Sequence, residues 1–207
     1  MKYDIILAGV GGQGVLSMAA IIGRAALAEG LYAKQSEVHG MAQRGGAVQA
    51  HLRLSDRPIE SDLIALGTAD LILSVEPIES LRYVSYLSPK GALVTAANPY
   101  VNIPNYPPLE DVLAKARSLP RAIVVDAERV ATEAGDAQTV NTVMVGAVAQ
   151  LLPLRLQSIE KAVRDTFLRK GEAVMDANLR ALAGGREAAA AANLRPPAPT
   201  VTPGAGA

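Results

Sequence analysis

The first part of the chain passes from an apolar run through a glycine-rich interruption into a helical pattern. Tyr3 to Ala8 is a short, isoleucine-rich run, which predicts a buried strand. The sequence GVGGQG follows at residues 9–14. From Val15 to Glu29 apolar residues recur at helical spacing, and Gly30 follows where a helix is expected to stop. Residues 31–35 predict another strand, so this part of the chain predicts a strand–loop–helix–strand unit.

In the rest of the chain, predicted strands continue to alternate with predicted helices. Strands are predicted at 49–55, 69–75, 92–97 and 122–126, and helices at 78–87, 109–118, 141–152, 158–168 and 171–182. Such alternation is typical of α/β proteins. We therefore predict a three-layer αβα Rossmann-like domain, with a mainly parallel sheet and C-terminal helices, over residues 1–183. Residues 184–207 are rich in Ala, Gly and Pro and predict a tail, because they have almost none of the large apolar side chains that a core needs.

Composition narrows the class of function. The 20 basic and 20 acidic residues cancel, which argues against a general nucleic-acid binder, and only 3% of residues are aromatic, which disfavours base stacking. Cysteine is absent, so disulfides, thiolate nucleophiles and cysteine-ligated clusters are excluded. With 2 histidines we expect no metal site. Neither a membrane span nor a signal peptide is recognisable, and we expect a soluble, cytoplasmic protein.

The glycine loop is the first candidate site. Gly9, Gly11 and Gly14 fit the pattern G-x-G-x-x-G between a strand and a helix, and Gly12 and Gln13 complete the loop. The free N–H groups and dipole at a helix N-terminus attract anions, and glycine lets a phosphate approach the backbone. The alternative is a tight turn that binds nothing.

The residues after the second predicted strand decide which phosphate ligand is favoured. A dinucleotide site usually has an acidic residue there to hold the ribose hydroxyls. This chain has Lys34 at that position, with Glu37 slightly beyond it. Lysine suits a phosphate better than a diol, so a ligand with an extra phosphate is favoured over NAD. Because Glu37 could hold the ribose hydroxyls, NAD stays open as a ligand.

A second candidate segment, SEVHGMAQRGG, spans residues 36–46. In a doubly wound sheet, a loop leaving the second strand at its carboxyl end lies near the first glycine loop. Arg44, followed by Gly45 and Gly46, could then bind a phosphate or carboxylate. The alternatives are a structural loop held by a Glu37–Arg44 ion pair, or an Arg44 that contacts another subunit. No G-x-S-x-G elbow exposes a serine, and we assign no catalytic residue.

The segments GVGGQG and SEVHGMAQRGGAVQAHLR together resemble the gamma module of the 2-oxoacid:ferredoxin oxidoreductases. The HGMAQRGG form is similar to the indolepyruvate branch, and NTVMVGA at residues 141–147 also looks like this family. The resemblance covers roughly residues 1 to 185.

The resemblance implies oxidative decarboxylation of a 2-oxoacid, here an aryl pyruvate, to acyl-coenzyme A, carbon dioxide and reduced ferredoxin. Thiamine diphosphate and 4Fe-4S clusters would reside on a large alpha subunit, since this chain has no cysteine and no recognisable G-D-G motif. The chain would be the non-cofactor subunit, inactive alone. It would help to bind coenzyme A, with the phosphates near residues 11–14 and with Lys34 and Arg44 as supports. Two alternatives stay open, a pure scaffold subunit and a free-standing dinucleotide- or flavin-binding reductase.

Overall fold

A computed structural model describes residues 1–39, 45–101 and 103–192 of the chain. Within these ranges six strands form one sheet in the order β2-β3-β1-β4-β5-β6. Their bounds are β1 (Lys2–Val10), β2 (Tyr32–His39), β3 (Ala47–Ser55), β4 (Ala69–Ser74), β5 (Leu87–Ala96) and β6 (Ala122–Val125).

The sheet is mainly parallel. β1 pairs in parallel with β4, β4 with β5, and β5 with β6. The exception is an antiparallel hairpin, because β3 pairs antiparallel with both β1 and β2. This hairpin inserts β3 between β1 and β2 and makes β2 an edge strand.

Helices cover both faces of the sheet. They are α1 (Val15–Ala28), α2 (Pro77–Arg82), α3 (Leu109–Arg117), α4 (Ala127–Glu133), α5 (Val140–Val148), α6 (Leu156–Phe167) and α7 (Glu172–Ala191). The larger core joins one sheet face to α1 and α4–α7, and includes Leu7, Ile22 and Val145. A smaller core, with Ile6 and Ile72, packs against Ala116 of α3 on the other face. The α/β prediction is confirmed.

Several boundaries differ from those expected. Residues 36–39 belong to β2, because they continue its ladder with β3. The helix expected at 78–87 ends at Arg82 and is followed by a 3-10 turn at Val84–Tyr86. The last helix continues to Ala191, through the first residues of the expected tail. The remainder of that tail, 193–207, lies outside the described residues. None of the described helices is long and apolar enough to cross a membrane.

Candidate functional site

The glycine loop joins β1 to α1 at the carboxyl end of the parallel strands. Gly12 and Gly14 have φ angles of 104° and 71°, a region that favours glycine. Gly14 is the N-cap of α1, so it has no side chain with which to accept the first N–H groups of the helix. α1 also has no acidic residue in its first turn. Neither the cap nor the first turn of α1 therefore supplies an anion to the positive end of this helix.

Two other residues of the loop build the turn itself. A Cβ atom on Gly9 would stand 2.6 Å from Val75 Cγ2 and 2.8 Å from Val15 Cγ2, so α1 packs where only glycine fits. The Gln13 side chain turns back, and its Oε1 accepts a hydrogen bond of 2.8 Å from the Val10 N–H. These contacts give Gly9 and Gln13 structural roles.

The end of the hairpin lies beside this loop. The Gly11 N–H donates to the Gly46 carbonyl oxygen at 2.7 Å, and the Gly45 N–H donates to the Gly11 carbonyl oxygen at 3.2 Å. β3 begins at Ala47, opposite Val10 at the end of β1, which fixes this proximity. The structure thus brings Gly45 and Gly46 to the first loop, although through an antiparallel hairpin instead of a doubly wound crossover. Arg44 lies outside the described residues.

Lys34 is not brought to the loop. It pairs with Arg53, which pairs with Asp4, six residues before Val10 on β1. At about 3.3 Å per residue, this separates it from the loop by about 20 Å. Its Nζ donates instead to the carbonyl oxygens of Ile59 and Glu60, at 3.1 and 3.0 Å. The expectation failed because β2 runs past Lys34 for five more residues before the chain turns.

Glu37 lies at an intermediate height on the edge strand. It pairs with Ala50, which pairs with Leu7, three residues before the end of β1. It is therefore closer to the loop than Lys34 is, and its side chain is half-buried.

Asn141 is a site residue that the sequence reasoning missed. It stands in the first turn of α5, and its Nδ2 donates to the carbonyl oxygens of Gln13, at 2.9 Å, and Gly14, at 3.3 Å. A Cβ on Gly14 would lie 2.7 Å from this Nδ2, so glycine at position 14 also makes room for the contact. Nothing local in the sequence links residues 127 positions apart; the NTVMVGA segment was the only signal.

The side-chain oxygen of Asn141, Oδ1, differs from Nδ2 in its hydrogen bonding. Within the described ranges, its Oδ1 is the only buried side-chain nitrogen or oxygen without a hydrogen-bond partner. Buried polar atoms in folded proteins are nearly always paired, so an orphaned acceptor indicates a missing donor. α5 also has no side-chain cap and no acidic residue in its own first turn, but it continues directly from a 3-10 turn at Ala137–Thr139, where the Asp136 carboxylate accepts a hydrogen bond from the Gln138 N–H. α1 is therefore the helix that brings an uncapped N-terminus to the glycine loop.

A cavity of about 170 Å³ adjoins the loop on the α2 side of the sheet. Apolar groups and two carboxylates line it: Val10, Gly45, Ala47, Glu76, Ile78, Glu79, Arg82, Tyr100, Ile103 and Tyr106. Glu76 and Glu79 are both buried.

Both carboxylates are held by hydrogen bonds. Glu76 caps α2 by accepting from the Glu79 N–H at 2.8 Å, and it accepts from the Tyr106 hydroxyl at 2.5 Å. Glu79 accepts two hydrogen bonds from Arg82. Burial, and then the hydrogen bond to Glu76, raise the pKa of Tyr106, so its hydroxyl stays protonated. In the described part of the chain, no group of three His, Cys, Asp or Glu side chains could hold a metal ion.

The fold and this site define an α/β module with a glycine-rich loop between two helix N-termini. Residues 4–188 match the family model for pyruvate ferredoxin/flavodoxin oxidoreductase. The indolepyruvate oxidoreductase subunit IorB of Archaeoglobus fulgidus is 38% identical over 192 residues, which are 88% of this chain and 92% of that protein. The common gamma subunit of the pyruvate/ketoisovalerate oxidoreductases of Pyrococcus furiosus is 31% identical, over 77% of this chain and 83% of its own.

Solved structures have the same fold. A keto/oxoacid ferredoxin oxidoreductase gamma subunit from Geobacter sulfurreducens has a TM-score of 0.69 and 26% identity, covering 92% of this chain and 99% of its own. The 2-oxoglutarate:ferredoxin oxidoreductase of Magnetococcus marinus, solved with 2-oxoglutarate, coenzyme A and succinyl-CoA, has a TM-score of 0.75 and 22% identity. The match covers 95% of this chain but 32% of that much longer one. The chain belongs to the pyruvate ferredoxin/flavodoxin oxidoreductase family, as a gamma-type subunit of 2-oxoacid:ferredoxin oxidoreductases.

Proposed function

We propose that this chain is the non-cofactor subunit of a cytoplasmic aryl-pyruvate:ferredoxin oxidoreductase and that its glycine loop binds the phosphates of coenzyme A. The observation that carries the proposal is the uncapped N-terminus of α1 at the loop, beside the orphaned Oδ1 of Asn141. Coenzyme A has anionic phosphates for the first feature and hydrogen-bond donors for the second.

The choice of substrate rests on how similar the chain is in sequence to relatives named for different substrates. The relative named for indolepyruvate shares 38% identity with this chain, against 31% for the relative named for pyruvate and ketoisovalerate. We therefore favour an aryl pyruvate such as indolepyruvate.

The partner of this chain would be a large alpha subunit, with ferredoxin as the electron acceptor of the complex. Thiamine diphosphate would supply the decarboxylation, and the clusters the electron transfer, on that subunit. This chain has no cysteine with which to ligate a cluster. Its own residues would bind and orient the coenzyme: Gly12, Gly14 and Asn141 at the loop, with Gly11, Gly45 and Gly46 forming the adjacent wall. Arg44 stays a proposed support, and Lys34 does not.

Gly12→Ala tests the loop, and the chain offers a matched control. Gly12 and Gly30 both have positive φ angles, of 104° and 78°, and neither has an atom within 4 Å of an added Cβ. Both alanine variants therefore carry similar backbone strain, but only Gly12→Ala places a methyl group at the loop. In the assembled enzyme we expect Gly12→Ala to raise the KM for coenzyme A by about tenfold to a hundredfold, the equivalent of one charge-assisted hydrogen bond. Gly30→Ala leaves this KM unchanged.

Hydrogen exchange supplies a second readout. Adding coenzyme A to the complex should protect the amides of residues 12–16. Equal KM values for both variants, together with no protection, would contradict a coenzyme site at this loop.

A pure scaffold subunit is the competing function, and two observations favour it. The Gly11 N–H already donates to Gly46, and the Gln13 N–H donates to Val10 at 3.0 Å, so both are used within the protein. A scaffold predicts that Gly12→Ala weakens assembly with the alpha subunit and leaves the KM for coenzyme A unchanged. The same kinetic and assembly measurements therefore separate the two functions.

A further inference from the structure

The edge strand β2 has an open side that lacks the usual protection against further pairing. It is 8 residues long and ends the sheet, so one row of its backbone N–H and C=O groups has no strand beside it in the described part of the chain. Its register with β3 is continuous from Tyr32 to His39, without a bulge, and its sequence contains no proline. Natural proteins shorten, bend or charge such edges, because an open edge pairs with strands of other chains.

The lysine of β2 does not protect the edge either. Lysine side chains that extend from an edge strand are a common means of preventing pairing. Here the Lys34 Nζ donates to the carbonyl oxygens of Ile59 and Glu60, on the segment that follows β3. The ammonium group is therefore held against this chain, and the open side of β2 remains available to another strand.

Two exposed apolar side chains lie on one face of this edge. Tyr32 and Val38 are 48% and 55% exposed, and their even separation places both on the same face of the sheet. They stand three residues to either side of Gln35. A second β2 that pairs antiparallel about Gln35 therefore sets each Tyr32 directly opposite the Val38 of the other copy. Aromatic and β-branched residues form favourable cross-strand pairs.

The charges of β2 favour the same register. When a two-fold axis relates two antiparallel strands, the residue on the axis faces its own copy. An axis at Lys34 or at Glu37 would set two like charges directly opposite each other, which is destabilising. An axis at Gln35 sets Lys34 opposite Ser36 and Glu37 opposite Ala33, and it brings the two Gln35 amides together.

An apolar stripe on α1 extends this surface beside the edge. Leu16, Ala20 and Leu27 are exposed, and their helical spacing places them on the side of α1 that carries Gly23. A Cβ atom on Gly23 would stand 3.9 Å from the Ala33 Cβ of β2, so this side of α1 lies next to the edge strand. In a pair of chains related by an axis perpendicular to the sheet, both copies of α1 lie on the same face and meet across the axis. The exposed leucines then become buried between the chains.

We propose that β2 is a self-association edge, which pairs antiparallel with β2 of a second copy of this chain about Gln35. The two six-stranded sheets then form one continuous sheet. Three observations on described residues carry the proposal: the open edge, the self-complementary pattern of Tyr32 and Val38, and the apolar stripe of α1. The contact is separate from the glycine loop and does not depend on what that loop binds.

Single introduced cysteines test the register, because the chain has no cysteine of its own. In Gln35→Cys the two thiols face each other, with Cα atoms about 4.5–5.5 Å apart, within the range of a disulfide. Mild oxidation of the full chain, and of its complex with the alpha subunit, should give a disulfide-linked pair of this chain on a non-reducing gel. Ser36→Cys is the matched control, since its two cysteines are diagonal neighbours about 7–8 Å apart and should cross-link at least about tenfold more slowly.

A charge at the edge tests the contact without a covalent bond. Val38 is exposed, so Val38→Lys should leave the fold intact, but the new lysine lies opposite Tyr32 of the second copy. The molar mass of the full chain, measured by light scattering, should fall from that of two chains to that of one. Leu66→Lys makes the same change at a side chain that is 65% exposed and lies outside β2 and α1, and it should keep the mass of two chains.

The contrary outcomes are distinct. Failure of Gln35→Cys to cross-link in both preparations would overturn the proposal, and so would equal rates for Gln35→Cys and Ser36→Cys. If the amides of β2 become protected from hydrogen exchange only when the alpha subunit is added, a strand of that subunit occupies the edge, and self-association is again overturned.

Discussion

Gly185 of α7 lies against the backbone of Val143 on α5: a Cβ atom on Gly185 would stand 2.0 Å from the Val143 carbonyl oxygen. The contact is matched one turn away, where a Cβ on Gly146 would stand 2.1 Å from the Leu182 carbonyl oxygen. The two helices therefore pack backbone to backbone through glycines. This packing holds α5, and with it Asn141, at the glycine loop.

Gly185→Ala should destabilise the fold. Alanine is the better helix former by about 1 kcal/mol, but the added methyl meets backbone that cannot rotate away, and overpacking costs about 1–3 kcal/mol or more. We expect a net loss in the free energy of unfolding, measured by urea denaturation. Gly23→Ala in α1 is the control, because the nearest atom to its Cβ is 3.9 Å away. It should be neutral or stabilising by about 0.4–1 kcal/mol. Equal effects of the two substitutions would refute the backbone contact.

Asn141→Asp hardly changes the size of the side chain, but it should weaken the binding of coenzyme A at the loop. The substitution replaces the Nδ2 donor with a carboxylate oxygen beside the carbonyl oxygens of Gln13 and Gly14. It also places a negative charge where the phosphates are proposed to bind. We expect the KM for coenzyme A to rise by about tenfold or more, since a like charge within about 4 Å costs about 1–4 kcal/mol near a protein surface. Gln157→Glu makes the same charge change on an exposed residue and should leave this KM unaltered.

Lys34→Met should leave the KM for coenzyme A unchanged, because the Lys34 ammonium lies far from the loop and donates hydrogen bonds to the carbonyl oxygens of Ile59 and Glu60. Arg44→Met is the informative comparison in the same assay. A rise in KM for Arg44→Met alone would support Arg44 at the phosphates. A rise for Lys34→Met would contradict the register of β2.

His51 should make stability depend on pH. Burial lowers the pKa of its imidazole below the ordinary value of 6.5, with opposing contributions from Asp62 and Asp4. Its Nδ1 accepts a 2.9 Å hydrogen bond from the Ile64 N–H, which only the neutral ring can do. Below pH 6.5 the unfolded chain therefore binds more protons than the folded one.

The free energy of unfolding should then fall with decreasing pH below about 6.5, by up to about 1.4 kcal/mol per pH unit from this group. Urea denaturation between pH 5 and pH 8 measures it. His51→Gln should flatten this dependence, whereas His39→Gln, at the only other histidine, should not. A slope that survives in His51→Gln would assign the effect to other groups.

The sequence by itself determined the local features. The run from Tyr3 to Ala8, the loop at 9–14 and the helix from Val15 are each encoded by neighbouring residues, through apolar periodicity and glycine. For that reason the strand–loop–helix unit, the α/β class and the family all followed from the sequence. The apolar 141–152 pattern likewise predicted a helix, which the structure has at Val140–Val148.

The tertiary structure decided which of these features meet. Whether β2 pairs with β1 or with β3 depends on contacts between distant residues, and this pairing moved Lys34 away from the loop while bringing Gly45 and Gly46 to it. The same holds for Asn141, whose partners Gln13 and Gly14 come from the other end of the chain. The last helix extends to Ala191 because Gly185 packs against α5. The small residues of this segment give no sequence pattern that would predict this contact. Local periodicity determines which segments form helices and strands, whereas tertiary packing determines which of these segments are adjacent. The site is formed by segments that are distant in the sequence, so only the packing could bring its residues together.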